Sequence, residues 1–131
     1  MRAKVLLYRL GEDTEKGLAL RTVLAEQKLL TLSIRAEQTG ETVARLVSAN
    51  AAVSGTQPPE QTPEAEFMLL CGLGDRQLDR LLAAMRRAGV SVPYKAVLTE
   101  HNKNWTFADL VTEVAREHEA MRVARKADTV Q

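Results

Sequence analysis

Two short apolar runs constrain this chain most. Val5-Leu6-Leu7-Tyr8 and Phe67-Met68-Leu69-Leu70-Cys71 contain no charged residue, so a strand built from either must have both faces covered. Each run stops at a turn of polar or small residues, and each turn opens a helical pattern. After Tyr8 come Arg9, Leu10 and Gly11, with Asp13 or Thr14 as the helix cap. Leu20, Val23 and Leu24 then repeat at helical spacing to about Gln27. After Cys71 come Gly72, Leu73, Gly74 and Asp75. Asp75 reads as the cap, and Leu78, Leu81, Leu82 and Met85 form a stripe that Gly89 ends.

Two other segments have the pattern of strands covered on one side only. Leu30-Thr31-Leu32-Ser33-Ile34-Arg35 alternates strictly, and Lys95 interrupts the apolar run Tyr94–Leu98. Both read as edge strands, with Lys95 guarding its edge against pairing. A short helix is expected from Gly40 to Asn50, with Val43, Leu46 and Val47 inward. Ser54 to Ala65 holds Gly55, Pro58, Pro59 and Pro63 and reads as a mobile loop with fast amide exchange. The last helix starts at Thr106, where Thr106 and Asp109 form a capping box and Trp105 and Leu110 a hydrophobic staple. Phe107, Leu110, Val111, Val114 and Met121 are its expected buried stripe.

The order βαβαβαβα predicts one α/β domain over residues 1–121, with a basic tail at 122–131. Crossover helices imply a four-stranded parallel sheet between two helical layers. With the apolar runs central, the strand order is 2-1-3-4, a flavodoxin-like three-layer sandwich. Its ligand crevice lies where the order reverses, between the first and third strands. There Arg9 and Gly11 would face Cys71, Gly72 and Gly74.

Composition narrows the partners. Lys plus Arg is 18 and Asp plus Glu is 17, so no overall charge draws the chain to nucleic acid or an anionic membrane. Aromatic residues are 4%, too few for a base-stacking surface. The first apolar run is too short for a signal peptide, and none approaches the roughly 20 residues of a membrane helix. The expected compartment is the cytoplasm. A single cysteine excludes an internal disulfide and a four-cysteine zinc site.

The candidate site gathers at the strand ends. Cys71 before a helix suggests a nucleophile, with His101 as its base. The plainer reading is a buried residue ending a central strand, which free cysteine favours. Gly72 and Gly74 would let amides approach an anion, although Asp75 repels one; a tight turn explains the glycines as well. Thr99, Asn102, Asn104 and Trp105 offer a polar pocket with an aromatic wall, or simply a turn and a staple. His118 lies on the stripe of the last helix, far from His101. No metal site or cofactor is expected, since three ligands do not converge.

No catalytic set is complete. The reading is therefore a non-enzymatic module that binds a protein partner or small effector at the C-terminal edge of the sheet. The alternative is a small enzyme or carrier that uses Cys71 with His101. Oligomeric state stays open.

Part of the chain also resembles a known family. Met68-Leu69-Leu70-Cys71-Gly72-Leu73, then Asp75, then Leu78-Asp79-Arg80-Leu81-Leu82 carry the likeness. Lys95-Ala96-Val97-Leu98-Thr99, Asn102, Trp105 and Glu117-His118-Glu119 extend it. Phe67 to Met121 thus resembles a bacterial domain of unknown function, number 3783. The resemblance implies element boundaries and no activity.

Overall fold

The computed structural model describes residues 3–48 and 62–129. Residues 54–61 of the proline-bearing loop, and the end of the helix expected to reach Asn50, lie outside the described residues. The strands are β1 (Lys4–Tyr8), β2 (Leu30–Ile34), β3 (Phe67–Cys71) and β4 (Lys95–Val97). The helices are α1 (Glu15–Glu26), α2 (Val43–Ser48), α3 (Asp75–Ala88) and α4 (Phe107–Thr129). A 3-10 turn at Ala36–Gln38 precedes α2, so α2 starts later than Gly40.

The sheet has the order β2-β1-β3-β4. β1 and β3 are central, and every residue of both is buried. The fully parallel arrangement expected from the alternation does not hold. β1 pairs with β2 in parallel and β3 with β4 in parallel, but β1 and β3 run antiparallel, with Leu6 opposite Leu69. The crossover helices account for this. Each joins the two strands of one parallel pair, α1 for β1 and β2, α3 for β3 and β4. Only the long connection from α2 to β3 joins the pairs, and it imposes no direction. The flavodoxin-like crevice is lost with the parallel centre.

Alternation along the central strands fills both faces. Val5, Leu7, Met68 and Leu70 pack with Leu20, Val23 and Leu24 of α1 and with Leu81, Ala84 and Met85 of α3. Leu6, Tyr8, Phe67, Leu69 and Cys71 pack with Val43, Leu46 and Val47 of α2 and with Phe107, Leu110 and Val111 of α4. Phe107 is the hub of the second face, edge-on to both Tyr8 and Phe67 at 5.8 and 5.5 Å.

The helix starts follow local chemistry. Thr14 Oγ1 accepts from Gly17 N at 3.0 Å, and Thr106 Oγ1 accepts from Asp109 N at 3.1 Å, the threonine half of the expected capping box. At α3 the cap is Gly74, and Asp75 is the first helical residue rather than the cap. Met121, expected in the stripe of α4, is 56% exposed. The burial of that helix ends near Val111, because α4 continues past the sheet it covers.

Two turns hold non-glycine residues in the left-handed region, Arg9 with φ 58° and Lys28 with φ 59°. Lys28 is exposed and closes α1. Replacing it with glycine removes the clash of its Cβ at positive φ without touching the core. Lys28→Gly should therefore raise stability by up to about 1 kcal/mol, read by chemical denaturation. A loss of stability would show that the Lys28 side chain holds the turn.

Candidate functional site

Antiparallel pairing at the sheet centre divides the expected site between two edges. The C-terminal ends of β1 and β2 lie at one edge, and those of β3 and β4 at the other. Arg9 and Gly11 are therefore separated from Cys71, Gly72 and Gly74 by the length of a strand. Thr99, Asn102, Asn104 and Trp105, after β4, do share the edge of Cys71.

At the β1 and β2 edge the chain encloses a cleft of about 590 Å³. Its lining includes Arg9, Gly11, Glu12, Asp13, Thr14, Arg21 and Ser33. This size falls within the range of small-molecule sites, roughly 300–1,000 Å³. Arg9 is fixed from several sides. Its Nε donates to the Pro63 carbonyl at 2.8 Å and to the Tyr8 hydroxyl at 3.1 Å. Its guanidinium lies 5.1 Å from the centre of the Tyr8 ring, and the Tyr8 hydroxyl itself donates to Pro63. The segment entering β3 is thus clamped against the end of β1. The Lys16–Glu66 ion pair at 2.8 Å reinforces this clamp.

Arg21 reaches the cleft from α1. Its Nη2 donates to the Leu10 carbonyl at 3.0 Å and to Ser33 Oγ at 2.8 Å. Its Nε is buried and has no hydrogen-bond partner. Gly17 sets how closely α1 approaches. A Cβ there would lie 2.0 Å from the Gly11 carbonyl oxygen, so the helix packs on the Gly11 backbone through a bare Cα. A glycine inside a helical pattern is the sequence sign of such an approach. Neither Gly17 nor Arg21 is singled out by the motif-based reading, because a lone residue on a helix has no spacing to recognise.

The opposite edge is arranged differently. Gly72 has φ 73°, a left-handed conformation that glycine adopts without strain. Gly74 sits at φ −75° with no atom within 4 Å of a built Cβ, so nothing approaches it closely. The turn after β4 satisfies itself. Asn102 Oδ1 accepts from Thr99 N at 2.9 Å, Asn102 Nδ2 donates to the Val97 carbonyl at 3.0 Å, and Thr99 Oγ1 accepts from Asn102 N at 3.1 Å. Trp105 is half-buried against the second core face. His101 packs edge-on against Trp105 at 5.2 Å. Asn104 is exposed. A second groove, of about 470 Å³, lies between Gln27 and the start of α3, lined by Gly74, Asp75, Arg76, Gln77 and Arg80.

Cys71 is fully buried. It faces α2 and α4, and its Sγ lies 3.9 Å from the Leu69 carbonyl. Its cross-strand neighbour is Lys4, which is also buried and donates to the Val47 carbonyl at 2.5 Å. Burial pushes the thiol up to about 12, with the Lys4 charge opposing it. Desolvation therefore outweighs the nearby cation. Among the described residues no group of three or more His, Cys, Asp or Glu side chains is placed to hold a metal. Among them, too, no helix is long and apolar enough to cross a membrane.

These features define a small mixed α/β sandwich with a polar cleft on the edge formed by β1 and β2. Residues 66–121 match the family model described as Domain of unknown function (DUF3783), in agreement with the resemblance seen over Phe67–Met121. The match runs from β3 into α4 and stops short of the cleft at Arg9 and Arg21. No curated protein and no solved structure matches the chain.

The state of Cys71 has measurable consequences. In the unfolded chain the thiol ionises near its ordinary 9.0, whereas the folded protein holds the proton to about 12. Its contribution to stability is complete below 9.0 and falls as pH rises towards 12. The stability difference between the wild type and Cys71→Ala should shrink across that window, measured by urea unfolding. At neutral pH, iodoacetamide should alkylate the folded protein more slowly than free cysteine. Faster labelling that His101→Ala suppresses would show the pair working as nucleophile and base.

Proposed function

We propose that this protein is a non-enzymatic binding module that takes a small polar effector in the cleft at the C-terminal ends of β1 and β2. The observation that carries this reading is the Arg21 side chain. It lines the cleft, is anchored by Leu10 and Ser33, and keeps a buried Nε–H without a protein acceptor. The part of its guanidinium that faces the cleft is a fixed charge, and an acceptor oxygen of a bound molecule would gain a charge-assisted hydrogen bond there. Arg9, held rigidly by Tyr8 and Pro63, supplies a second cationic wall. Glu12 and Asp13 are exposed near the same cleft. The lining thus carries both signs of charge, and it suits an effector with both acceptor and donor groups, such as an amino acid or a hydroxy acid.

The non-enzymatic part of the reading is supported by Cys71. Its thiol is enclosed and protonated, and His101 is exposed at a ring contact with Trp105. In the cleft, Thr14 Oγ1 donates to the Gly11 carbonyl and accepts from Gly17 N, and Ser33 Oγ accepts from Arg21, so neither of these hydroxyl contacts is with a base.

Amide chemical shifts of the ¹⁵N-labelled protein, titrated with a panel of amino and hydroxy acids, test the binding directly. At least one member should move Gly11–Thr14 and Ser33 saturably, and Arg21→Met should weaken that response about tenfold or more, the loss of one charge-assisted hydrogen bond. Gly17→Ala forces α1 away from Gly11 and should both destabilise the protein by about 1–3 kcal/mol and lower the same affinity. Responses confined to Gly74–Arg80, or none from the whole panel, would refute the cleft.

A further inference from the structure

We propose that the chain consists of two diverged copies of one β-α-β-α unit, residues 4–47 and 67–111, joined edge to edge through β1 and β3. The surface by which the family unit at 66–121 meets its neighbour is accordingly one made to receive a second copy of itself. This goes beyond the binding reading and does not depend on it.

The sheet supplies the first argument. The order β2-β1-β3-β4, with two parallel outer pairs and an antiparallel centre, is the pattern of a two-fold axis through the middle. The axis passes between Leu6 and Leu69. Rotation about it exchanges the pair Val5 and Leu70 with the pair Leu7 and Met68, and exchanges Lys4 and Cys71 with Tyr8 and Phe67. It therefore superposes Leu6 on Leu69 and Tyr8 on Cys71.

The backbone hydrogen bonds obey the same rotation. Val43 N donates to the Trp105 carbonyl at 2.8 Å, and Phe107 N donates to the Glu41 carbonyl at 2.9 Å. Ala44 N donates to the Lys103 carbonyl at 2.8 Å, and Ala108 N donates to the Thr39 carbonyl at 2.8 Å. Thr42 and Thr106 form a bridge with each other at the centre. Each unit thus satisfies the free N–H groups at the start of the other unit's helix, α2 or α4. Such reciprocity is the mark of an isologous contact.

The sequence follows in register. Leu32–Val47 aligns with Ala96–Val111 without a gap. Thr42-Val43-Ala44-Arg45-Leu46-Val47 falls on Thr106-Phe107-Ala108-Asp109-Leu110-Val111. In that register Gln38 falls on Asn102, and each side-chain oxygen accepts from the backbone N–H three residues earlier, Arg35 or Thr99. Arg9 falls on Gly72, both with positive φ. Lys28 falls on Gly89, both left-handed at the end of a helix, with Leu29 N bonded to the Leu24 carbonyl and Val90 N to the Met85 carbonyl. The strained conformations of Arg9 and Lys28 are thus the ones that glycine occupies in the other copy. Arg21 and Ser33 fall on Leu82 and Val97, so the donors of the cleft belong to the first copy alone.

A full-length doubled chain tests the inference, with residues 4–47 replaced by a second copy of 67–111. It should unfold in one cooperative transition and run as a monomer on size exclusion. Phe107 and Trp105 would meet their own copies at the axis there, so a second measurement guards against a packing clash. A protease site is placed at 53–58 of the wild-type chain, the folded protein is cut, and the products are weighed by native mass spectrometry after equilibration. Alongside the heterodimer, a species of twice the mass of the C-terminal fragment should form. Either a folded doubled chain or that homodimer supports the proposal. An unfolded doubled chain together with a C-terminal fragment that never pairs with itself would overturn it.

Discussion

The antiparallel contact between β1 and β3 is the constraint on which the rest of the molecule depends. Among the described residues it joins the two strands that are buried on both faces. Their alternating residues belong to both core faces. Tyr8 and Phe67 lie opposite one another across this contact and share Phe107 as a neighbour. The same contact carries the starts of α2 and α4 towards the centre of one face, where each helix finds hydrogen-bond acceptors in the opposite half. With the strands parallel, those reciprocal bonds would have no geometry in which to form.

That direction of pairing also decides where chemistry is possible. It separates the Arg9 turn from the Cys71 turn and leaves each with its own surroundings. At the first edge, Arg9, Arg21 and Ser33 surround a cleft of ligand size. At the second, Asn102 and Thr99 use their polar atoms on their own turn, and Cys71 is turned inward among apolar groups. A cysteine held protonated by burial belongs to the packing of the sheet centre. An arginine fixed by Leu10 and Ser33 on the wall of a cleft is a better place to expect a ligand.

Much of this was legible from residues alone. The apolar runs at Val5–Tyr8 and Phe67–Cys71 identify the central strands because a strand without polar positions has no face to give to water. The alternation of Leu30–Ile34 and the interruption at Lys95 mark the edges for the converse reason. Thr14 and Thr106 announce helix starts through the reach of a hydroxyl to the third amide on. The candidate site was less legible. Cys71 and Gly74 stand out because they fit known patterns, whereas Arg21 and Gly17 matter through what lies across the cleft from them. Even the repeated Thr-x-Ala-x-Leu-Val at 42–47 and 106–111 gains its meaning only once the two threonines are seen facing each other.

The sequence by itself determined the element order, the central and edge strands, the strand order and the layers, because periodicity and capping are local and each residue reports on its own burial. The tertiary structure alone decided the direction in which the two halves meet. A βαβ crossover dictates parallel pairing inside each half, since a helix must return the chain to the edge where it began. Between the halves no crossover acts, and an apolar strand pairs in either direction with similar burial. The choice falls to long-range contacts, the exchange of helix-start hydrogen bonds and the placement of Phe107 between Tyr8 and Phe67. These form only when residues far apart in the chain are already side by side.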